Sequence, residues 1–510
     1  MSSVLRSQAD RPAAARRRLA VASVLLATLT ASACSSGGGG GGRAANGGGG
    51  AAKGGGPSST APPPAYTGPP VAAGANPLGA KFDYKRIDNF APYLQKLSGG
   101  ATFYEMVWCD VEPEPGAVNW RTTDSNVESG QRLGLTTYLK IRVGSCWATG
   151  GRGKHVRGQK QKTESLMPKD LGTYESFVRA AVERYTSKGV HEYALENEIN
   201  SDMMWGGSPE DYVKLLTVAV RVIRAVDPSA KIVDPGISST AYGVAIADRL
   251  LSQGHDDQAV AAYQRYYGRR TTRGADFPPV SDVAGLRSAL GTEQATRNLA
   301  YLAMANRLAA DGVVDIRQLH FYEEWDNVPA LLDYVHATLP PKFPVEAWEV
   351  GMFWQQGTSD QKARAGELTK TVTLLLAGGV RRVIWLPLAA DPTGRNADEP
   401  RYGLVEPDGT VRSTGVALEA LVKATRGASV RSLDRAGVRG IALGRSNGST
   451  LVFWSDKGTT LKRGEPTGSV AAQVGGSPVQ WGGAGLQLGA QPVMVDVPGP
   501  LDNAVSMVLG

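Results

Sequence analysis

From Asn76 onward, short apolar runs alternate with segments whose apolar residues recur at helical spacing. Ile87, Phe90, Leu94 and Leu97 predict a helix stopped by Gly99-Gly100, and Ala101 to Trp108 predicts a strand rich in β-formers. Asp124 is expected to cap a helix that closes at Gly134, with a strand from Leu135 to Val143 after it. The alternation continues through a helix at Tyr174 to Tyr185, a strand that leads to Asn197-Glu198, a helix at Pro209 to Val226 stopped by Asp227-Pro228, and a strand with its exit at Lys231 to Gly236. Residues 241–311 read as mostly helical and longer than one crossover helix requires, so they are expected to be an insertion. Further strands are predicted at Ile316 to Tyr322, Val345 to Glu349 and Arg382 to Leu388. Helices are predicted at Val328 to Leu339, Gln361 to Ala377 and Thr414 to Ala424. With Gly79 to Asp83 closing a first strand, eight strands alternate with helices. The expected fold is α/β, a (β/α)8 TIM barrel over residues 76–426. After Gly427 the period changes to short runs between Gly, Asn and Asp turns, which predicts a small C-terminal antiparallel β-domain, sandwich-like, over 427–510.

The first 75 residues lack this patterning. Arg16-Arg17-Arg18 precede a short apolar stretch, Leu19 to Thr30, and a small-residue site, Ala31-Ser32-Ala33. Residues 1–33 therefore read as an export signal, too short in its apolar core to span a bilayer. Cys34 follows directly, and the arrangement resembles a bacterial lipoprotein signal with Cys34 as the lipidated residue, although Ala31 stands where such signals usually carry Leu. Residues 34–75 are Gly, Ser, Ala and Pro, a flexible tether. The chain is thus expected at the cell envelope or secreted, meeting a membrane only through its lipid. The signal carries a net +4 of the formal +7, which leaves +3 for the rest; together with the lack of a basic stripe interleaved with aromatics this argues against nucleic acid as a partner. Cys109 and Cys146 remain. They fall at the ends of consecutive predicted strands, where they either pair as a disulfide or stay as two buried thiols, and their spacing is not that of a metal site. The stretch Gly144 to Pro168 is basic, with Arg152, Lys154, His155, Arg157, Lys160 and Lys162, and is read first as a solvated loop and second as a wall for an acidic glycan.

Two strand ends carry the chemistry. Tyr193-Ala194-Leu195-Glu196-Asn197-Glu198 and Val345-Glu346-Ala347-Trp348-Glu349-Val350-Gly351 each deliver a Glu where a parallel barrel places its catalytic groups. A carboxyl pair of this kind is what glycosidic bond cleavage requires. Strand alternation puts Glu346 on the face opposite Glu349, and Glu196 on the same face as Glu198.

Several further segments fall in register with these. Glu112-Pro113, Pro115-Gly116 and Trp120 form one. Asn197-Glu198 follows the fourth strand, His320 and Tyr322 end the sixth, Trp348-Glu349-Val350-Gly351 ends the seventh, and Trp385 lies in the eighth. Tyr402-Gly403-Leu404 and Pro407-Asp408-Gly409 come after it. Over residues 77–425 the chain resembles the retaining glycoside hydrolases of clan A, in the manner of family 39 or the family 5-like cellulase group. It departs from them in having Ile199 after Asn197-Glu198 and Trp348 before Glu349. The resemblance implies Glu198 as acid/base and Glu349 as nucleophile, with Asn197 on the sugar 2-hydroxyl and Tyr322 holding Glu349. It implies His320 at a subsite, with Trp385, Trp108 and Trp354 as sugar platforms. It implies no metal and no organic cofactor. The substrate would be a β-linked polysaccharide or oligosaccharide, of exopolysaccharide or hemicellulose type. A transglycosylase using the same residues, or an inactive glycan-binding surface lipoprotein, are the alternatives.

Overall fold

The computed structural model describes residues 75–82, 86–150, 156–157, 162–163, 165–268, 277–352, 360–389 and 403–510, apart from 436, 475, 478 and 480. The export signal with Cys34, the tether up to residue 74, Trp354, Tyr402 and Arg152, Lys154, His155 and Lys160 of the basic stretch lie outside the described residues.

Among the described residues eight parallel strands organise the fold: β1 (Leu78–Ala80), β2 (Ala101–Val107), β3 (Thr136–Arg142), β4 (Glu192–Leu195), β5 (Lys231–Val233), β6 (Arg317–Phe321), β7 (Val345–Val350) and β8 (Val383–Trp385). They pair as two four-stranded sheets, β2–β3–β4–β5 and β1–β8–β7–β6. Parallel bridges from Val233 to Ile316 and from Ile237 to Leu319 join β5 to β6. At the opposite seam β1 lies against β2, where a Cβ on Gly79 would come within 1.9 Å of the Ala101 carbonyl oxygen, so only glycine fits. Ala101, Phe103, Tyr138, Ala194, Val233, Ile316, Trp348 and Ile384, from both sheets, pack together as a separate apolar cluster. Their strand neighbours, such as Leu139, Leu195 and Val383, point the other way into the larger core beneath the helices.

Helices α1 (Ile87–Leu94), α2 (Arg121–Arg132), α3 (Leu171–Thr186) and α4 (Pro209–Val226) cross between the first five strands. The limits of α4 follow from its sequence. Ser208 Oγ accepts from the Asp211 amide at 3.2 Å while Asp211 Oδ2 accepts from the Ser208 amide, Pro209 opens the first turn, and Asp227 ends the helix. Helix α2 corrects the reading of Asp124. The helix begins at Arg121, so Asp124 lies inside the first turn, where it accepts from Arg184 Nε of α3 at 2.8 Å.

Among the described residues four helices fill the stretch between β5 and β6: α5 (Thr240–Ser252), α6 (Asp256–Tyr267), α7 (Val283–Leu290) and α8 (Glu293–Ala310). Helix α8 packs on both α4 and α5. Helices α9 (Val328–Thr338), α10 (Gln361–Ala377) and α11 (Ser413–Thr425) follow β6, β7 and β8. Among the described residues no helix is long and apolar enough to cross a membrane.

The C-terminal strands are β9 (Ser429–Arg435), β10 (Val438–Arg445), β11 (Gly448–Trp454), β12 (Thr459–Leu461), β13 (Val470–Gln473), β14 (Leu486–Leu488) and β15 (Val493–Val497). Five form an antiparallel sheet in the order β9–β10–β11–β15–β13, and β12 pairs with β14. Alternation splits the sheet between two cores: Ile441, Leu443 and Val452 face the main core beside α10, while Ala442, Leu451 and Phe453 face a second core. A terminal helix, α12 (Leu501–Leu509), covers that second core with Ala504, Val505 and Val508 and was not anticipated from the sequence.

Candidate active site

Glu198 and Glu349 come together at the C-terminal ends of the parallel strands. One ligand atom from each of Glu198, His320 and Glu349 lies within 4.8 Å of the others. All three residues are buried.

Glu349 reaches this place through a bulge. Leu319 and His320 of β6 are adjacent, but their partners in β7 are Ala347 and Glu349, and β8 shows the same extra residue between its partners Ala347 and Val350. Trp348 and Glu349 therefore both turn to the inner side of the sheet, Trp348 stacking on Tyr138 at 4.7 Å. This corrects the alternation argument. Glu346 and Glu349 share a face, but Glu346 sits at the opposite end of the strand, where it accepts from Trp348 Nε1 at 2.8 Å.

Glu198 sits just past β4 with a left-handed backbone, φ 43°, as does Glu196 at φ 64°. Glu196 does not join the pair. Its carboxylate accepts from the Val143 amide at 2.7 Å and faces Arg142 Nε at 3.6 Å. Burial pushes Glu196 up, opposed by the Arg142 charge.

The environment of Glu349 is cationic. Lys140 Nζ, from the middle of β3, donates to Glu349 Oε1 at 2.7 Å and to Asn197 Oδ1 at 2.6 Å. Tyr322 donates its hydroxyl to Glu349 Oε2 at 2.8 Å. Burial alone would raise the Glu349 carboxyl, but His320 and Lys140 overcome it and hold the group at about 2. Lys140 is lowered by its own burial, an effect that Glu349 partly offsets. Its ammonium also lies over the Phe103 ring at 4.5 Å.

His320 Nδ1 is 2.9 Å from Glu198 Oε1 and 3.6 Å from Glu349 Oε2. Its Nε2 is 2.9 Å from Gln318 Oε1, and Gln318 donates its own amide to the Asp234 carbonyl at 2.7 Å. That second bond turns the Gln318 oxygen toward His320 Nε2, which also lies 3.2 Å from Lys140 Nζ. Gly236, at φ 68°, makes room for the ring: a Cβ there would lie 2.3 Å from Nε2. Glu198, His320 and Glu349 together have the composition of a metal site, but Lys140 already places a positive charge 2.7 Å from Glu349 and 3.2 Å from His320.

Asn197, His320 and Tyr322 thus surround the two carboxyls. Two of the aromatic expectations are corrected. Trp108 is fully buried, stacked on Phe177 at 5.3 Å, with its indole N–H on Glu112 Oε2 at 2.7 Å. Trp385 is fully buried in the outer core with Val383, while Ile384 between them takes the inner face. Neither offers a face to a sugar. Cys109 and Cys146 are joined by a disulfide, Cα–Cα 5.6 Å.

Lys140 was missed from the sequence. The signal was Tyr138, Lys140 and Arg142 alternating with Leu139, Ile141 and Val143, three large polar residues along one face of a strand that is buried on both sides.

No family model and no curated protein matches this sequence. Solved structures do match. A family 39 glycoside hydrolase from the gut symbiont Bacteroides cellulosilyticus WH2 superposes with TM-score 0.55 at 14% identity, over 82% of this chain and 80% of that one. A monomeric beta-xylosidase from Caulobacter crescentus CB15 gives 0.50 at 14% identity over 84% and 98%. A glucosidase from Croceicoccus marinus gives 0.50 at 11% identity, again over 84% and 98%. The fold of this chain is that of the clan A glycoside hydrolases.

Proposed function

We propose that this protein is a retaining glycoside hydrolase acting on a β-linked polysaccharide or oligosaccharide, and that its eight parallel strands form one closed (β/α)8 barrel with the antiparallel sheet as an accessory domain. The observation that carries the reading is the approach of Glu198 and Glu349. Carboxyl oxygens within 4.8 Å of one another fit double displacement, which uses carboxyls about 5–5.5 Å apart, better than the wider spacing of an inverting pair.

Glu349, held ionised by Lys140 and Tyr322, attacks the anomeric carbon and forms a glycosyl-enzyme. Glu198 carries the proton of the general acid, with His320 Nδ1 2.9 Å away as its hydrogen-bond partner. Glu198 delivers that proton to the leaving oxygen and later takes one from the attacking water. Lys140 occupies Oδ1 of Asn197, which leaves the amide nitrogen to donate to the sugar 2-hydroxyl as the oxocarbenium-like transition state forms. Export and a lipid on Cys34 would place this chemistry at the cell envelope, with the tether as spacer.

Product analysis on a panel of β-glycans, with Glu349→Gln beside wild type, tests the reading. Oligosaccharides or single sugars released by wild type and lost in the variant support it. Polymer binding without cleavage by wild type replaces it with the glycan-binding alternative.

A further inference from the structure

The residue that carries the proton is not held by its own strand. Strand β4 ends at Leu195, and the next turns place two non-glycine residues, Glu196 and Glu198, in the left-handed region. Such conformations persist only where surrounding structure imposes them. Residues 199–207 then leave without forming a helix or strand.

Part of the grip on this segment comes from α8; Ser165 also pairs through its backbone with Met204 and Gly206, and the Ser238 amide donates to Asn200 Oδ1 at 3.0 Å. Arg297 Nε donates to the Asn200 carbonyl at 2.8 Å, and its Nη2 donates to the carbonyls of Ile199 at 3.2 Å and Trp205 at 2.9 Å. One turn on, Tyr301 donates its hydroxyl to the Gly207 carbonyl at 2.7 Å, and its ring lies 4.7 Å from the Arg297 guanidinium. Asn298, between them, accepts from Asn200 Nδ2 at 2.8 Å. A single helix face thus collects carbonyls from both ends of the segment that follows Glu198. Guanidinium suits this because its planar fork offers several fixed donors at once.

We propose that Arg297 is a positioning residue for the general acid, clamping residues 199–207 so that Glu198 keeps its left-handed backbone and its place beside His320. The proposal rests on the reading of Glu198 as acid/base. It predicts that the clamp matters only when the leaving group must be protonated. The nucleophile Glu349 is anchored separately, by Lys140 on β3 and Tyr322 just past β6.

The experiment compares Arg297→Ala with wild type on two aryl glycosides of the best-accepted sugar. One carries a 2,4-dinitrophenyl group, which leaves without a proton, and the other an unsubstituted phenyl group, which does not. Expected is a loss in kcat/KM of about 100-fold on the phenyl glycoside, the low end of what general acid catalysis contributes, with less than about 3-fold on the dinitrophenyl one. Arg297→Lys should fall between. Tyr301→Phe, which keeps the ring under Arg297 and removes one grip on Gly207, should show the same leaving-group dependence in smaller measure, and serves if Arg297→Ala does not fold. Equal losses on both substrates, or none on either, in a folded variant of an active enzyme would overturn the clamp and leave the glycosidase reading intact. A wild type that turns over neither substrate nor any glycan would overturn that reading, and the clamp with it.

Discussion

Replacing Lys140 with methionine preserves most of the side chain's volume and removes one charge from the centre of the site. Lys140 is fully buried, and its ammonium is the donor to both Glu349 Oε1 and Asn197 Oδ1. In the native protein Glu349 titrates near 2 although it is fully buried, with His320 and Lys140 opposing the effect of burial. A neighbouring opposite charge lowers a carboxyl by about one to three pH units. Without Lys140 the acidic limb of the kcat/KM profile should therefore move up by that amount. The sign for stability follows. A depressed carboxyl contributes stability above its unfolded value of 4.5 that is lost as pH falls toward 2. The variant should lose this contribution at a higher pH than wild type. At neutral pH, breaking a buried ion pair costs about 3–5 kcal/mol, and release of the desolvated ammonium itself keeps the net near the lower figure. The assays are kcat/KM against pH on the best aryl glycoside, and urea denaturation at pH 7. Coincident acidic limbs for wild type and Lys140→Met would refute the role assigned to this lysine, whatever the change in stability.

Two further perturbations test other parts of the molecule. The disulfide between Cys109 and Cys146 closes a loop with a sequence separation of 37; replacing both with serine should cost about 4 kcal/mol by loop entropy, read as a lower urea midpoint that reductant no longer changes. Glu192, at the start of β4, is raised by burial and by the nearby Glu346 from 4.5 to about 8. The folded state then binds a proton that the unfolded state has released, so stability falls as pH rises between those values. Glu192→Gln should raise the thermal midpoint at pH 8 and leave it nearly unchanged at pH 4, and equal effects at both would refute the assignment.

The strand and helix order was legible because local signals agreed with the fold. Helix α4 has its capping box at Ser208 and Asp211, its apolar stripe at Tyr212, Leu215, Leu216, Ala219 and Ile223, and its stop at Asp227-Pro228. Glu198, Glu349, Asn197, His320 and Tyr322 were legible as polar residues ending apolar strands. What stayed hidden depends on which way a face points. A strand facing the inside of a parallel sheet alternates just as one facing water does, so Lys140 and Arg142 looked like ordinary β-strand polars. Trp385 looked like a platform because its direction is set by pairing with Ala80 and Val350 rather than by its neighbours in sequence. The bulge at Trp348 left no local trace, and neither did the grip of Arg297, whose partners are backbone carbonyls about a hundred positions away.

The bulge in β7 makes the identity of the nucleophile a matter of counting. With Trp348 in place, the chain packs a large indole against Tyr138 and still presents the following carboxylate on the same side. Pairing the strand without the bulge, at unchanged length, would rotate every side chain after Trp348 by half a turn and send Glu349 outward, with its composition and its neighbours intact. A drifting lineage could therefore lose its chemistry by a change of strand register that residue-by-residue comparison does not detect at all. In such relatives a glutamate aligned with Glu349 would be a fossil of the reaction rather than its agent.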